Sequence, residues 1–191
     1  MTDTAKTTAT VADLYRLDED ERAELVNGEL IPMAPAGGEH HYIGSKIHLR
    51  LGRYEEETAS GYAMMDGLGY IVDVLGRRSF MPDVSYASRD AEIGPRMIAG
   101  SPLFAVEIRS PDDYGPKADE VYAAKRRDYF DAGTAVVWDV DPRARTVRSY
   151  RADRPQQPAT FHPGDVADAE PALPGWRVAV HELFPPAPRP T

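Results

Sequence analysis

The chain contains no cysteine, and this absence removes three kinds of chemistry at once. Disulfide bonds, thiolate metal ligands and a catalytic thiol are excluded, and a reducing compartment is the simplest environment for such a sequence. The opening MTDTAKTTAT lacks the basic and apolar regions of a secretory leader, and no apolar run approaches the length that crosses a bilayer. We therefore expect a cytoplasmic protein that does not associate with a membrane.

Basic residues are outnumbered, with 22 Lys and Arg against 31 Asp and Glu and a net charge of −9. This deficit counts against an extended nucleic-acid-binding surface, because phosphate contacts normally come from clustered Lys and Arg. It does not count against a site for divalent cations, since such a site must itself be acidic. Local basic patches remain open at Arg77-Arg78 and at Lys125-Arg126-Arg127.

The rest of the composition is ordinary for a globular protein, with 42% hydrophobic and 28% charged residues over 191 positions. A chain of this length is long enough for one well-buried core. We predict a single domain over residues 11–184, with a flexible tail at 1–10 and a Pro-rich tail at 185–191.

Hydrophobic periodicity and turn signals predict an α/β fold, a mixed β-sheet flanked by two main helices. Asn27-Gly28 between two apolar runs is the strongest short signal for a type I′ hairpin near the N-terminus. Helices are predicted at 11–17, 43–58 and 117–132. Strands are predicted at 63–72, 79–86, 103–110, 134–140 and 146–151, with 134–140 at the centre of the sheet because it is a near-continuous apolar run rich in β-branched residues.

Two carboxylates lie in predicted strands among apolar neighbours, Asp83 after Pro82 and Glu107 before Ile108. A buried carboxylate without a partner costs several kcal/mol, so two of them on neighbouring strands suggest a shared cation. Oxygen ligands favour Mg²⁺ or Mn²⁺ over zinc. Arg109 follows Glu107 by two positions and should share its face of the strand, where it could bind phosphate or hold Glu107 but could not act as a base.

In order and spacing, several segments resemble the Uma2 family of endonucleases, also known as DUF820, over nearly the whole chain. They are Glu24 to Leu30 with Met33 and Pro35, Glu39-His40, Pro82-Asp83-Val84, Val106 to Pro111, Lys125 with Tyr129, Ala132-Gly133 and Val137 to Pro142. The resemblance implies a restriction-endonuclease-like fold of the PD-(D/E)XK superfamily, with two-carboxylate metal catalysis. DNA is the implied substrate, and a homodimer is expected by analogy with nucleases that cut two strands.

The resemblance also assigns roles to individual residues. Asp83 and Glu107 would bind Mg²⁺ (or Mn²⁺), and Glu24 matches an N-terminal acidic residue that would support this metal or a second one. Lys125 matches a helix lysine that replaces the missing motif lysine and would orient the attacking water. Arg109 departs from the family, in which an apolar residue is more common at this position, and His40 is a candidate for phosphate or substrate binding at the cleft.

Simpler interpretations stand beside these. Asp83 could bond backbone amides after Pro82, Glu107 and Arg109 could form a structural ion pair, and Lys125 and Glu24 could be solvated charges. Tyr129 and Trp138 are most simply core or lid aromatics, and Asp139 and Asp141 most simply cap and turn residues.

The leading hypothesis is a metal-dependent DNA endonuclease. The main alternative is a catalytically silent nuclease-fold domain for interaction or regulation, and a weaker third is a metal-independent carboxylate-pair hydrolase acting on another substrate.

Overall fold

The computed structural model describes residues 8–18 and 21–186, which form three α-helices, thirteen strands and a short 3₁₀ helix at Val180–Glu182. None of these helices is long and apolar enough to cross a bilayer. In chain order the elements are α1 (Val11–Leu14), β1 (Ala23–Val26), β2 (Glu29–Pro32), α2 (Gly38–Thr58), β3 (Gly61–Met65), β4 (Tyr70–Val74), β5 (Arg77–Phe80), β6 (Val84–Ser88), β7 (Ile98–Ala99), β8 (Phe104–Ile108), α3 (Pro116–Asp131), β9 (Val136–Asp141), β10 (Thr146–Arg151), β11 (Ala159–Phe161), β12 (Val166–Asp168) and β13 (Arg177–Ala179).

The strands form two main sheets, and each of them is mixed. The first has the order β2-β1-β5-β4-β7, the second has the order β11-β10-β9-β8-β6-β3, and β12 pairs with β13 in a small separate ribbon. In the second sheet β8 and β9 run parallel while the other neighbours are antiparallel. The predicted α/β class with flanking helices is confirmed, and β9 lies at the centre of its sheet as predicted.

Two predicted strands are wrong in their extent, and both are divided in the same way. The segment 63–72 is split by a turn into β3 and β4, and the segment 79–86 is split at Met81 to Asp83 into β5 and β6. In each case the two halves join different sheets. Pro82 accounts for the second break, because proline has no N–H to donate to a ladder and is confined to strand ends and edges.

Hydrophobic packing on the two faces of the six-stranded sheet fixes the positions of the long helices. On one face, α2 packs Ile43, Ile47 and Leu51 against strand residues and the C-terminal segment. On the other face, Tyr129 of α3 packs with residues of both sheets, among them Phe80 of β5. The six-stranded sheet is therefore covered on both sides, and α3 lies where the two sheets meet.

The predicted hairpin is confirmed. Asn27 and Gly28 both have positive φ, 51° and 72°, as a type I′ turn requires, and Leu25 pairs with Leu30 across the strands. The hairpin places Glu24 on β1, which pairs with β5 in the first sheet. Part of the predicted N-terminal tail contacts this turn, since the Ala9 N–H donates to the Gly28 carbonyl at 2.8 Å. Residues 1–7 and 187–191 of the two predicted tails lie outside the described residues.

Gly28→Ala is expected to lower the free energy of unfolding by about 1–2 kcal/mol, because a left-handed backbone is unfavourable for a residue with a Cβ. The added Cβ would also approach Thr8 Cγ2 to 2.2 Å unless that side chain moves. Urea denaturation would measure the loss. Gly94→Ala is the control, since its Cβ would meet nothing within 4 Å, and an equal loss in both variants would contradict this account of the turn.

Candidate active site

Sheet register brings Asp83 and Glu107 together. Val84 of β6 pairs with Val106 of β8, so the next position along each strand sets Asp83 beside Glu107. Asp83 lies one residue before β6 rather than within a strand, but its N–H still donates to the Val106 carbonyl at 3.1 Å. The two carboxylates therefore occupy neighbouring positions at the end of the paired segment.

The Asp83 carboxylate is held from two sides. Its Oδ2 accepts the Ile108 N–H at 2.6 Å and lies 3.2 Å from Nε2 of His40, in the first turn of α2. Burial opposes the charged form of His40, but the hydrogen bond and the negative charge of Asp83 raise the His40 pKa. These contacts fix one oxygen of Asp83, and Oδ1 makes no hydrogen bond within residues 8–18 and 21–186.

Two residues of α3 donate hydrogen bonds to the Glu107 carboxylate. Its Oε2 accepts a hydrogen bond from Lys125 Nζ at 2.8 Å, and its Oε1 accepts one from the Tyr129 hydroxyl at 2.7 Å. Lys125 and Tyr129 are four residues apart and so lie on one face of the helix. The Tyr129 ring stacks on Phe80, with centroids 3.9 Å apart and planes at 12°. Glu107 is therefore fixed by a helix that is itself anchored between the sheets.

Glu24 approaches the same ammonium from the first sheet. Its Oε1 lies 2.9 Å from Lys125 Nζ and also accepts the Met81 N–H at 2.9 Å. Its Oε2 accepts a hydrogen bond from Arg77 at 2.6 Å, and Arg77 in turn reaches Asp128 of α3 at 2.7 Å. Lys125 is thus held between two carboxylates, one from each sheet.

Arg109 lies on the predicted face but has different partners. Its guanidinium binds Asp139 through two parallel hydrogen bonds of 2.9 Å, and it also donates to Asp119 at 2.7 Å and to the Asp113 carbonyl. Glu107 pairs with Lys125 instead, so the alternative of a Glu107–Arg109 ion pair is wrong. The structure brings Glu24, Asp83, Glu107, Lys125 and His40 together and directs Arg109 into a neighbouring network.

The prediction that Asp139 is a cap or turn residue is wrong. Asp139 is a buried residue within β9, 2% exposed, and the Arg109 fork accounts for its burial. Asp141 does hold a turn, since its carboxylate accepts the Ala144 N–H at 3.0 Å. Two further residues of the site escaped sequence reasoning, the buried Arg77 and the hydroxyl of Tyr129. The four-residue spacing of Lys125 and Tyr129 could have indicated that Tyr129 shares a helix face with Lys125.

The charges of the site are not balanced at Glu107. Burial, followed by repulsion from Asp83 and Glu24, raises the pKa of Glu107 to about 7, although Lys125 acts in the opposite direction. For Lys125, burial disfavours the ammonium but the carboxylates of Glu107 and Glu24 outweigh it and raise the pKa. For Glu24, burial is likewise outweighed by Lys125 and Arg77, so its pKa is lowered. Lys125 stays charged at neutral pH. Its single positive charge is shared by Glu24 and Glu107, and the Asp83 carboxylate adds a further negative charge beside Glu107.

The raised pKa of Glu107 predicts a pH-dependent stability. Between about pH 4.5 and 7 the folded protein keeps a proton that the unfolded chain loses, so this contribution is complete below 4.5 and lost as the pH rises through 7. The shift corresponds to roughly 3 kcal/mol, at about 1.4 kcal/mol per pKa unit. Relative to Glu107→Gln, the wild type should therefore lose this amount of stability across the window.

Urea denaturation in a chelating buffer from pH 4.5 to 8 would measure the difference. Glu57→Gln, an exposed position on α2, is the matched control and should follow the wild type across the range. A constant difference between the wild type and Glu107→Gln would contradict the shifted pKa.

The donor set fits a hard divalent cation of the Mg²⁺ type. Asp83 and Glu107 line a cavity of about 510 Å³ together with His40, Asp66 and Tyr122. Among the described residues, no three His, Cys, Asp or Glu side chains form a ready-made metal cluster. Mg²⁺ does not require one, because it is usually held by one or two carboxylates and keeps several waters. A bound cation would reduce the repulsion between the carboxylates of Glu107 and Asp83.

Comparisons with known proteins show the fold and the family of the chain. Four solved chains match, and one is a crystal structure of a putative nuclease belonging to DUF820 from Anabaena variabilis, with a TM-score of 0.71 and 22% sequence identity. That match covers 92% of this chain and 97% of the other, and it shows a shared fold. No curated protein matches. The family model of Uma2, described as "Putative restriction endonuclease", matches residues 11–181, and the chain is therefore a member of the Uma2 family.

Proposed function

We propose that the protein is a Mg²⁺- or Mn²⁺-dependent endonuclease that hydrolyses phosphodiester bonds in DNA. The observation that carries the proposal is the pair of carboxylates, Asp83 and Glu107, which line one cavity while a charged lysine is hydrogen-bonded to Glu107. The family description and the nuclease name of the structural neighbour support nucleic acid as the substrate. A cytoplasmic location and a homodimer remain predictions.

Asp83 and Glu107 are the residues that would hold the cation. When bound, a divalent metal lowers the pKa of a coordinated water and neutralises negative charge on the phosphoryl group. Oδ1 of Asp83 can accept a ligand without loss of the contacts that fix Oδ2. Tyr129 and Lys125 hold Glu107 in one rotamer, so both carboxylates are positioned before any ligand arrives.

Lys125 acts as a fixed positive charge rather than as a base. Its pKa is raised by Glu107 and Glu24 against the effect of burial, so the ammonium does not give up its proton near pH 7. Two of its three N–H donors are occupied by these carboxylates, which leaves one for a water or a phosphate oxygen. This arrangement is suited to orienting a nucleophilic water and stabilising charge in the transition state.

Glu24 acts through Lys125 in this proposal. Both of its oxygens accept hydrogen bonds from protein groups, Oε1 from Lys125 and Met81 and Oε2 from Arg77. Both oxygens of Glu107 are hydrogen-bonded as well, but Glu107 lines the cavity with Asp83 and Glu24 is not among the described residues that do, so Glu24 is better placed as a positioning residue than as a metal ligand. His40 contacts Asp83 at the cavity, where a charged imidazole could also bind a phosphate oxygen.

Cleavage of supercoiled plasmid tests the proposal. The wild type should nick or linearise the plasmid with Mg²⁺ or Mn²⁺ and should lose this activity in EDTA. Equal cleavage in EDTA would overturn metal dependence. No cleavage of plasmid or of linear DNA with either metal would favour the silent interaction domain, whose motivation is the net charge of −9.

A further inference from the structure

A second cavity, of about 280 Å³, lies between α3 and the loop that joins β10 to β11. We call it the arginine pocket, because Arg126 and Arg127 form its charged wall, with Phe130, Tyr150 and Gln156 among the other lining residues. No acidic side chain is among the described residues that line it. In a chain with 31 acidic and 22 basic residues, this is a local excess of positive charge.

Arg126 is held in a fixed orientation. Its guanidinium lies over the Tyr150 ring, 4.0 Å from the centroid, and its side chain is 15% exposed. Its one ion pair with a described residue is a contact of 3.5 Å to Asp139 Oδ2, an oxygen that already accepts a hydrogen bond from Arg109 at 2.9 Å. Arginine has five N–H donors, so most of those on Arg126 remain for a ligand.

The neighbouring side chains supply complementary groups. Arg127 is exposed and forms no ion pair with any residue in the described ranges. Phe130 is half-buried and offers an aromatic wall, and Gln156 is exposed and offers an amide. Guanidinium groups beside an aromatic ring are the combination with which proteins bind the phosphates and bases of single-stranded nucleic acid.

We propose that the arginine pocket binds one unpaired nucleotide of a nucleic-acid strand, with its phosphate on Arg126 and Arg127 and its base against Phe130. A single strand is favoured over a duplex because the cavity is small and concave and only an unpaired base can enter it. The same helix carries Lys125 to the candidate active site, so a bound strand would contact the helix that holds Glu107. The proposal rests on the proposed function only for the reason that the protein would bind a strand, since binding itself requires no cleavage.

Fluorescence anisotropy with a labelled single-stranded oligonucleotide in EDTA tests this, because no metal-dependent cleavage can interfere. Arg126→Gln/Arg127→Gln is expected to weaken binding by about tenfold or more, since it removes charged hydrogen bonds to phosphate. The slope of log affinity against log salt should become shallower by roughly 0.7, the value for one neutralised phosphate of a single strand. Arg127→Gln alone, at an exposed position, should give part of the loss without affecting the fold.

Arg53→Gln/Arg177→Gln is the matched control, with the same change in charge at two exposed positions away from the pocket. Equal affinity of the two double variants, or no binding by the wild type, would overturn the proposal. Displacement of the oligonucleotide by a nucleoside monophosphate at similar concentration would overturn the strand as ligand in favour of a free nucleotide. Anisotropy is measured in EDTA whereas cleavage is measured with Mg²⁺ or Mn²⁺, so failure at the active site and failure at the pocket remain distinguishable.

Discussion

Asp83→Asn should abolish metal-dependent plasmid cleavage while leaving the fold intact. The substitution removes one of the two charged ligands proposed for the cation, and a metal contributes several kcal/mol of charge stabilisation in the transition state. At about 1.4 kcal/mol for each factor of ten, the expected loss is about a thousandfold. The asparagine oxygen can still accept the Ile108 N–H, so the end of β8 keeps its hydrogen bond.

The control for this prediction is Asp90→Asn, the same substitution at an exposed position after β6. It should cleave at the wild-type rate under identical conditions. Circular dichroism and urea denaturation would establish that both variants are folded. Cleavage by folded Asp83→Asn at the wild-type rate would remove Asp83 from the mechanism.

Lys125→Met should affect stability and activity together. The ammonium lies 2.8 Å from Glu107 and 2.9 Å from Glu24, and its removal leaves two buried carboxylates without their shared cation. Breaking a buried pair by removing one partner typically costs about 3–5 kcal/mol. We expect a loss of that order in urea denaturation at pH 8, together with loss of cleavage.

Lys117→Met is the matched control, since Lys117 is exposed on the same helix and should change stability by less than about 0.5 kcal/mol. Adding Glu107→Gln to Lys125→Met should restore part of the lost stability, because it removes one unpaired charge. It should not restore cleavage, because it also removes a proposed metal ligand. A loss below about 1 kcal/mol for Lys125→Met would show that the network does not depend on this ammonium.

The sequence predicted the parts of the fold that are determined by local pattern. Asn27-Gly28 requires positive φ at two successive positions, and the apolar residues of α2 recur at helical spacing, so both elements could be identified without tertiary information. The central strand was recognisable because residues 134–140 form a near-continuous apolar run rich in β-branched residues. In the structure Val136 to Val140 is buried on both faces. The division of 79–86 was missed although Pro82 was visible, and this break lets β5 and β6 enter different sheets.

Partners across the fold could not be predicted in the same way. Strand alternation correctly gave Glu107 and Arg109 one face, but it could not show that Asp139 on a neighbouring strand would occupy Arg109. Arg77 is 53 residues from Glu24, and only the pairing of β1 with β5 brings them together. The resemblance to Uma2 nominated Glu24 and Lys125, and the structure shows that the Lys125 ammonium links Glu24 to Glu107.

Calorimetric titration of Mn²⁺ into the wild type, Asp83→Asn and Asp90→Asn is the most direct test of the central claim, a divalent cation held by Asp83 and Glu107. We expect saturable binding to the wild type and to Asp90→Asn, and none to Asp83→Asn. Absence of binding to the wild type, or undiminished binding to folded Asp83→Asn, would contradict it.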